Sequence, residues 1–209
     1  MCSKAYFDKV AVDWSSMRKA FFSDSIREKA FAVAGLEAGK TAADIGAGTG
    51  FISGGLVAKG VNVIAVDQSA TMLAELKNQV GPNSAVDCRQ GTAEQLPIED
   101  ELVDYAFANM YIHHVEQPSV ALKEMTRILK PGGRLVITDL DQHDFEFLRR
   151  EHHDRWMGFK REDIQNWLLA AGLANVNVES AGGDCCATSC ETGSQAAASI
   201  FIASGEKPC

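Results

Sequence analysis

The sequence predicts an α/β protein built on a doubly wound, largely parallel sheet, and three observations carry that prediction. Short apolar runs rich in β-branched residues alternate with stretches of helical periodicity. A glycine-rich turn follows the first apolar run, in TAADIGAGTG, and the next run ends on an aspartate. Such alternation implies parallel strands joined by right-handed crossovers. The 209 residues, 46% of them hydrophobic, suffice for one domain of this kind.

Seven strands follow from these runs. Five are expected to pair in parallel, at residues 41–45, 61–67, 85–90, 103–109 and 134–140. Two later runs, 174–179 and 196–204, have one short connection and no crossover helix between them, so they must form an antiparallel hairpin. Helices are expected at 51–59, 119–129 and 161–171. The single domain, 1–209, thus divides into a helical segment (1–30), a core (31–142) and a closing segment of helices and hairpin (143–209).

The turn after the first strand is built for contact between backbone and ligand. Asp44 ends the strand, and Gly46, Ala47, Gly48 and Gly50 follow it. Glycines accept positive φ and let a ligand approach the main chain without a Cβ in the way. The N–H groups of the helix that begins after Gly50 face the same ligand. The turn therefore predicts a nucleoside-bearing ligand.

The spacing of the glycines indicates which ligand class binds. A dinucleotide-binding turn places its third glycine three residues after the second, and Phe51 stands there, which disfavours a nicotinamide-dependent dehydrogenase. Asp67, 17 residues after Gly50, ends the second strand and can accept hydrogen bonds from two ribose hydroxyls. An unrelated α/β protein with a chance aspartate at this strand end is the plainer alternative.

On these residues the chain resembles the class I S-adenosylmethionine-dependent methyltransferases, which have a Rossmann-like seven-stranded sheet. The segment LKPGGRLVI and the final hairpin are similar to the family as well. Within it the chain is most similar to the ubiquinone/menaquinone-biosynthesis-like group (methyltransferase type 11), which acts on small molecules. The resemblance implies S-adenosylmethionine as cofactor and contacts to it from a set of twelve residues: Asp44, Gly46, Ala47, Gly48, Gly50, Asp67, Gln68, Thr92, Ala93, Asn109, Trp14 and Arg18.

Some of these contacts rest on weaker matches. Thr92 stands where relatives usually carry an aspartate that holds the adenine amino group, so its hydroxyl or the Ala93 N–H is expected to serve instead, unless the segment is an ordinary surface turn. Residues 1–30 resemble a helical lid over the cofactor, in which Arg18 meets the cofactor's carboxylate. A plain amphipathic docking helix is the alternative. The resemblance places His113 and His114 as packing and hydrogen-bonding residues of the loop after the fourth strand.

Composition narrows the substrates and partners. The formal net charge of −8 argues against a nucleic-acid partner, because phosphate backbones are bound by basic faces. No apolar run approaches the roughly 20 residues that span a bilayer, and the N-terminus lacks the apolar core of a signal peptide. We therefore expect a cytosolic protein with no membrane partner. Its six cysteines are expected to be reduced thiols: Cys2, Cys88, Cys185, Cys186, Cys190 and Cys209.

The methyl acceptor is expected at the carboxyl edge of the sheet, where the final hairpin opens. Its connection carries Cys185, Cys186 and Cys190 within a glycine-rich run, and thiolates are soft ligands for metalloids. Methylation of thiol-bound arsenite is thus one hypothesis, although cysteines in a small-residue loop can also lack a chemical role. The spacing matches no standard zinc site.

A polar cluster after the fifth strand supports a different acceptor. Asp141 or His143 is expected to act as general base toward an organic hydroxyl or amine, and a carbon acceptor is a further alternative. His152 and His153 are predicted on the wet face of a helix. The cofactor's activated methyl makes an acid/base pair dispensable. A rival of another class is a non-catalytic S-adenosylmethionine-binding or thiol-based metal-sensing protein.

Overall fold

The computed structural model describes residues 3–81 and 84–209, so Cys2 lies outside the described residues. Its centre is a seven-stranded sheet with the order β3-β2-β1-β4-β5-β7-β6. Strands β1 to β5 are parallel, and β7 runs antiparallel between β5 and β6. The doubly wound sheet and the closing hairpin are thereby confirmed. The strands are β1 Thr41–Ile45, β2 Asn62–Asp67, β3 Val86–Gln90, β4 Val103–Asn109, β5 Leu129–Leu140, β6 Ala174–Thr188 and β7 Gln195–Glu206.

Helices cover both faces of the sheet. Alternate residues of β1 point to opposite sides, so Ala43 and Ile45 pack in the cluster with Leu122 and Ile164, whereas Ala42 packs with Leu56 and other residues of the opposite face. This is why both faces need a helical layer. The helices are α1 Ser3–Phe21, α2 Ser25–Ala34, α3 Phe51–Ala58, α4 Ala70–Val80, α5 Pro118–Arg127, α6 Glu146–Glu151 and α7 Arg161–Ala170, with a 3-10 turn at Ile112–His114.

Local chemistry sets several element boundaries. Ser69 caps α4 by accepting a hydrogen bond from the Met72 N–H, which satisfies one of the free donors of the first turn. Gly35 ends α2 in the left-handed conformation, and Pro118 begins α5 with its fixed φ. No helix within residues 3–81 and 84–209 is long and apolar enough to cross a membrane.

The final hairpin is longer than expected. The sequence predicts that residues 180–195 connect two short strands, but β6 continues to Thr188. The pairing with β7 is irregular between Ser180 and Asp184, where Gly182 has a φ of 84°. A bulge thus absorbs the glycines without ending the strand. Cys185 and Cys186 consequently lie in a strand, and Cys190 lies in the tight turn that follows.

Candidate active site

The glycine turn between β1 and α3 is held by two buried carboxylates. Gly46 and Gly48 have φ values of 71° and 52°, a region that favours glycine. The Asp67 carboxylate accepts hydrogen bonds from the N–H groups of Gly48 (2.9 Å) and Ser69 (2.8 Å). These bonds couple the turn to the end of β2, so the two predicted ligand-binding segments form one rigid unit.

Asp44 faces the same space from the end of β1. One of its oxygens accepts hydrogen bonds from the Ser53 N–H (2.9 Å) and the Ser53 hydroxyl (2.6 Å). Burial raises the pKa of Asp44 to about 7, against the lowering effect of the Ser53 bonds. Burial likewise raises the pKa of Asp67. Two carboxylates in a dry setting favour a positively charged ligand, which would stabilise their ionised form.

A cleft of about 680 Å³, here called the first chamber, lies over the turn. Nine of the twelve predicted cofactor-contact residues line it: Trp14, Arg18, Asp44, Gly46, Ala47, Gly48, Asp67, Gln68 and Asn109. The other three, Gly50, Thr92 and Ala93, are not among its lining residues. A Cβ on Gly50 would meet Leu76 of α4, so this glycine serves the packing of helix against turn.

Helix α1 roofs the first chamber and is hydrogen-bonded to the elements beneath it. The Asp8 carboxylate accepts hydrogen bonds from the hydroxyls of Ser69 (2.6 Å) and Thr71 (2.8 Å). The hydroxyls of Ser15 and Thr49 lie 2.8 Å apart. These polar contacts, two turns of helix apart, fix α1 along its length across the cleft.

Arg18 is buried at the first chamber, but its guanidinium already has partners. It donates to the Asp24 carboxylate (3.0 Å) and to the Phe22 carbonyl (3.3 Å), and it lies 3.9 Å from the centroid of the Phe51 ring. The predicted bond from Arg18 to the cofactor's carboxylate therefore competes with an existing ion pair. That bond stays a prediction.

The side chain of Tyr111 was not singled out from the sequence and fills part of the first chamber. A Cβ on Gly46 would lie 2.2 Å from Cγ of Tyr111, so the ring rests on the glycine turn. Burial raises the pKa of its hydroxyl, and a hydrogen bond from the Ala93 N–H lowers it. The ring thus spans from Gly46 to Ala93. Thr92 is exposed and forms an isolated antiparallel bridge with Gln95, and its contact with the adenine stays a prediction.

A second chamber of about 490 Å³ adjoins the first under α1. Five residues line both chambers: Phe7, Trp14, Phe22, Met110 and His114. The remaining lining of the second chamber is mostly apolar and carries a few titratable groups: Tyr6, Phe21, His113, Leu140, Leu148, His152, Asp154, Cys185 and Ala187. The two chambers are therefore neighbours, and these five residues form the wall that they share.

A buried network of histidines and carboxylates forms one wall of the second chamber. Nδ1 of His113 lies 2.6 Å from Oδ1 of Asp139, and Nε2 of His113 lies 3.8 Å from Oδ1 of Asp154. Burial alone would lower the pKa of His113, but the two carboxylates raise it to about 9. Burial raises the pKa of Asp154 to about 6. Burial and the neighbouring His113 hold the pKa of His114 well below its usual value, so its imidazole is neutral.

The bases predicted from the sequence lie elsewhere. Asp141 forms a bidentate salt bridge with Arg161 at 2.7 and 2.6 Å, and its partner belongs to the first turn of α7. His143 is buried beside Phe145, and desolvation lowers its pKa. Neither residue lines the two chambers; both border an open depression next to β7. Asp141 and His143 therefore lie outside both chambers, because β5 ends at Leu140 and the chain then leaves this edge, and their role as bases stays a prediction.

His152 and Asp154 are the residues that sequence reasoning missed. His152 was expected on the wet face of a helix and Asp154 was given no role, but α6 ends at Glu151 and both residues line the second chamber. The Tyr6 hydroxyl lies 3.4 Å from Nδ1 of His152, and Asp154 is buried. The segment EHHDRW, which is dense in histidines and carboxylates, was the signal in the sequence. It was missed because the segment was interpreted as the polar face of a helix.

The three cysteines of the hairpin do not face one point. Neighbouring residues of a strand point to opposite faces, and accordingly Cys185 is buried in the second chamber whereas Cys186 is exposed. Cys190 is exposed in the following turn, where its N–H donates to the Glu151 carboxylate (2.8 Å). Burial raises the pKa of Cys185 to about 12, which keeps it a thiol at neutral pH. Binding of one atom by all three sulfurs is therefore incompatible with this strand.

Comparisons with known proteins agree with the site. The family model for a methyltransferase domain matches residues 43–137, the segment that holds the glycine turn, Asp67 and Asn109. A demethylmenaquinone methyltransferase from Clavibacter sepedonicus is 34% identical over 166 residues, which are 66% of this chain and 67% of the relative. A malonyl-[acyl-carrier protein] O-methyltransferase from Methylococcus capsulatus is 37% identical over 108 residues, 51% of this chain and 39% of that protein.

Other curated relatives are matched over 27–39% of their own length. Among solved structures, a Haloferax volcanii methyltransferase in complex with the activator Trm112 superposes with a TM-score of 0.77 at 20% identity, over 97% of this chain and 98% of that one. That likeness shows the fold. Together with the identity to the Clavibacter relative and the match of the domain model, it leads to one conclusion: the chain belongs to the S-adenosylmethionine-dependent methyltransferases.

Proposed function

We propose that this enzyme transfers a methyl group from S-adenosylmethionine in the first chamber to a small acceptor in the second. The adjacency of the two chambers under α1, with five lining residues in common, carries the proposal, because donor and acceptor must meet in line. When bound, the cofactor supplies a methyl group on a positively charged sulfur. The described residues provide positions and exclude water, and such a reaction does not require an acid/base pair.

The lining of the first chamber fits this cofactor. Asp44 and Asp67 supply buried negative charge for a cationic ligand, and Asp67 keeps oxygen lone pairs for ribose hydroxyls beyond its two N–H partners. Gly48 leaves the turn open to close approach, whereas the Tyr111 ring covers Gly46. For the adenine to reach Ala93, the Tyr111 ring must move away from Gly46.

The second chamber favours a flat, largely apolar acceptor. Phe7, Trp14 and Phe21 form a continuous aromatic wall, with ring centroids 5.1 and 5.9 Å apart along the series. His152 faces the same space, and burial lowers its pKa, so its neutral ring can take a proton from an acceptor hydroxyl. The name of the Clavibacter relative gives demethylmenaquinone as its acceptor, and we infer an acceptor ring of comparable apolar character here.

A thiol-bound metalloid such as arsenite is a second candidate acceptor. The observation in its favour is that Cys185 lines the second chamber and that Cys190 lies near Tyr6 of the same chamber. The pKa of the Tyr6 hydroxyl is raised mainly by burial, then by Asp154, and least by Cys190. Two sulfurs, rather than three, would then hold the metalloid. Cys186, on the opposite face of β6, has no part in this arrangement.

The test is calorimetric titration with S-adenosylmethionine, followed by transfer assays with methyl-labelled cofactor on phenolic and quinol acceptors and on arsenite. Cys185→Ser and Cys186→Ser form a matched pair, since one side chain lies inside the second chamber and the other outside. Transfer to a phenol in both variants supports the organic acceptor, and transfer to arsenite that only Cys185→Ser abolishes supports the metalloid. Saturable cofactor binding without transfer to any acceptor would indicate a binding protein. Failure to bind the cofactor would refute the proposal.

A further inference from the structure

Three ligand atoms converge at the wall of the second chamber. Oδ1 of Asp154 lies 3.8 Å from Nε2 of His113 and 4.0 Å from Nε2 of His114. The three residues have ligand atoms within 4.8 Å of one another, and their side chains are 5–7% exposed. They come from two separate segments, the 3-10 turn after β4 and the loop after α6.

The separations are too long for hydrogen bonds and close to those around a metal ion. Separations of 3.8 and 4.0 Å lie beyond hydrogen-bonding distance, so neither histidine satisfies Asp154 through its Nε2. Bonds of about 2.0–2.2 Å to Zn²⁺ place tetrahedral ligand atoms about 3.4 Å apart. A contraction of roughly half an ångström would therefore close both histidine–carboxylate pairs around one ion.

Both histidines are oriented as metal ligands are. Nδ1 of His113 lies 2.6 Å from the Asp139 carboxylate, which the Leu140 N–H also holds (2.7 Å). Nδ1 of His114 lies 3.4 Å from the His153 carbonyl oxygen. Acceptors at Nδ1 fix the tautomer that leaves Nε2 for the metal, and such partners are a regular feature of histidine metal sites. A proton and a metal ion then compete for Nε2 of His113.

The set of ligand atoms also indicates the kind of ion. The three residues offer two imidazole nitrogens and one carboxylate oxygen in a buried wall. Two imidazoles and one carboxylate suit Zn²⁺ and the neighbouring first-row divalent ions rather than Ca²⁺ or Mg²⁺, which take oxygen ligands.

We propose that His113, His114 and Asp154 form a site for a divalent transition-metal ion, with Zn²⁺ as its best probe, and that a free coordination position faces the second chamber. Resting on the proposed function, this narrows the acceptor to one with a hydroxyl or thiol that can bind the ion. The acceptor's O–H or S–H proton is released to water as the acceptor binds. Its lone pair then bonds to the methyl carbon as the bond from that carbon to the cofactor sulfur breaks, and the sulfur keeps the electron pair.

The test is metal binding without cofactor or acceptor. Zn²⁺ is titrated calorimetrically into the full chain with the exposed Cys186, Cys190 and Cys209 replaced by Ser, and Co²⁺ is titrated with visible absorption as readout. We expect one ion per chain and a Co²⁺ spectrum of nitrogen and oxygen ligands without thiolate charge transfer. Asp154→Asn and His114→Ala should each weaken binding by more than the 10–100-fold that loss of an outer partner costs.

Two further variants separate the site from nonspecific binding and from misfolding. His153→Asn is the control, because only the backbone carbonyl of residue 153 contacts the site and asparagine suits its φ of 61°. Its affinity should be unchanged. Asp139→Asn keeps the shape of the pair and should weaken binding about 10–100-fold, which covers the case that Asp154→Asn fails to fold. Equal Zn²⁺ affinity in the parent, Asp154→Asn and Asp139→Asn would refute the site. Loss of cofactor binding alone would refute the proposed function and leave the metal site standing.

Discussion

A methyl group added at Gly46 would meet the ring of Tyr111 directly. Gly46 has a φ of +71°, and a Cβ built there lies 2.2 Å from Cγ of Tyr111, whereas ordinary contact begins at 3.4 Å. The ring would have to retreat from 2.2 to 3.4 Å, about 1.2 Å, although it is packed between the turn and Ala93. Gly46→Ala therefore combines backbone strain with overpacking.

The two costs can be worked out separately. A non-glycine residue in the left-handed region costs about 1–2 kcal/mol, and overpacking a filled site costs about 1–3 kcal/mol. We expect Gly46→Ala to lower the free energy of unfolding by about 2–5 kcal/mol. Gly48 has a φ of +52° but its Cβ would lie 3.7 Å from Nε1 of Trp14, so Gly48→Ala should cost only the strain, about 1–2 kcal/mol. Gly54 lies within α3 with nothing within 4 Å, and Gly54→Ala should stabilise by about 0.5–1 kcal/mol.

Urea unfolding followed by circular dichroism measures this series. The double-mutant cycle of Gly46→Ala with Tyr111→Ala isolates the clash, because removal of the ring leaves only the strain. We expect a coupling energy of about 1–3 kcal/mol between the two sites. A Gly46→Ala cost equal to that of Gly48→Ala, or one that persists unchanged in the Tyr111→Ala background, would refute the packing of this ring on the turn.

Three further predictions concern titration and ion pairs. The pKa of Asp44 is raised from 3.8 to about 7, so the contribution of this carboxyl to stability is complete below pH 3.8 and is lost as the pH rises to 7. The difference in free energy of unfolding between wild type and Asp44→Asn should therefore change by up to about 4 kcal/mol between these pH values. A difference that does not vary with pH would contradict this prediction. Burial raises the pKa of Cys185 to about 12, whereas Cys186 is exposed. Iodoacetamide at pH 8 should therefore label Cys186 in the native protein and Cys185 only after unfolding, which peptide mass spectrometry measures. Equal labelling of the two cysteines in the native protein would show that Cys185 is at the surface. Asp141→Asn breaks a partly exposed ion pair with Arg161 and should lower the free energy of unfolding by about 1 kcal/mol or less. The affinity for S-adenosylmethionine should stay unchanged. A large loss of that affinity would show that Asp141 contributes to the cofactor site.

The parallel core was predictable from local pattern alone. Strands β1 and β4 have the predicted bounds, and the glycine turn with Asp67 was found from spacing, because these features depend on neighbours within a few residues. The hairpin was predicted, but the length of β6 was not. Whether glycines end a strand or form a bulge depends on the pairing partner, and that partner is β7.

The buried cluster of histidines and carboxylates could not be predicted from the local sequence pattern, for a related reason. His113, Asp139 and Asp154 come from three segments, and the end of β5 and the short α6 decide that they meet while Asp141 and His143 turn away. In the same way, the alternation of side chains along β6 and the bulge between Ser180 and Asp184 decide that Cys185, and not Cys186, points into the second chamber.

Hydrophobic periodicity in the sequence determined the fold class, and the resemblance of its glycine motif and Asp67 to a known family implied the family and its cofactor. Only the tertiary structure decided that Tyr111 covers Gly46, that Cys185 and Cys186 diverge, and that His113, His114 and Asp154 share one wall. The physical reason is that side-chain direction at a strand end or in a loop follows from the packing of distant segments, which local periodicity does not record.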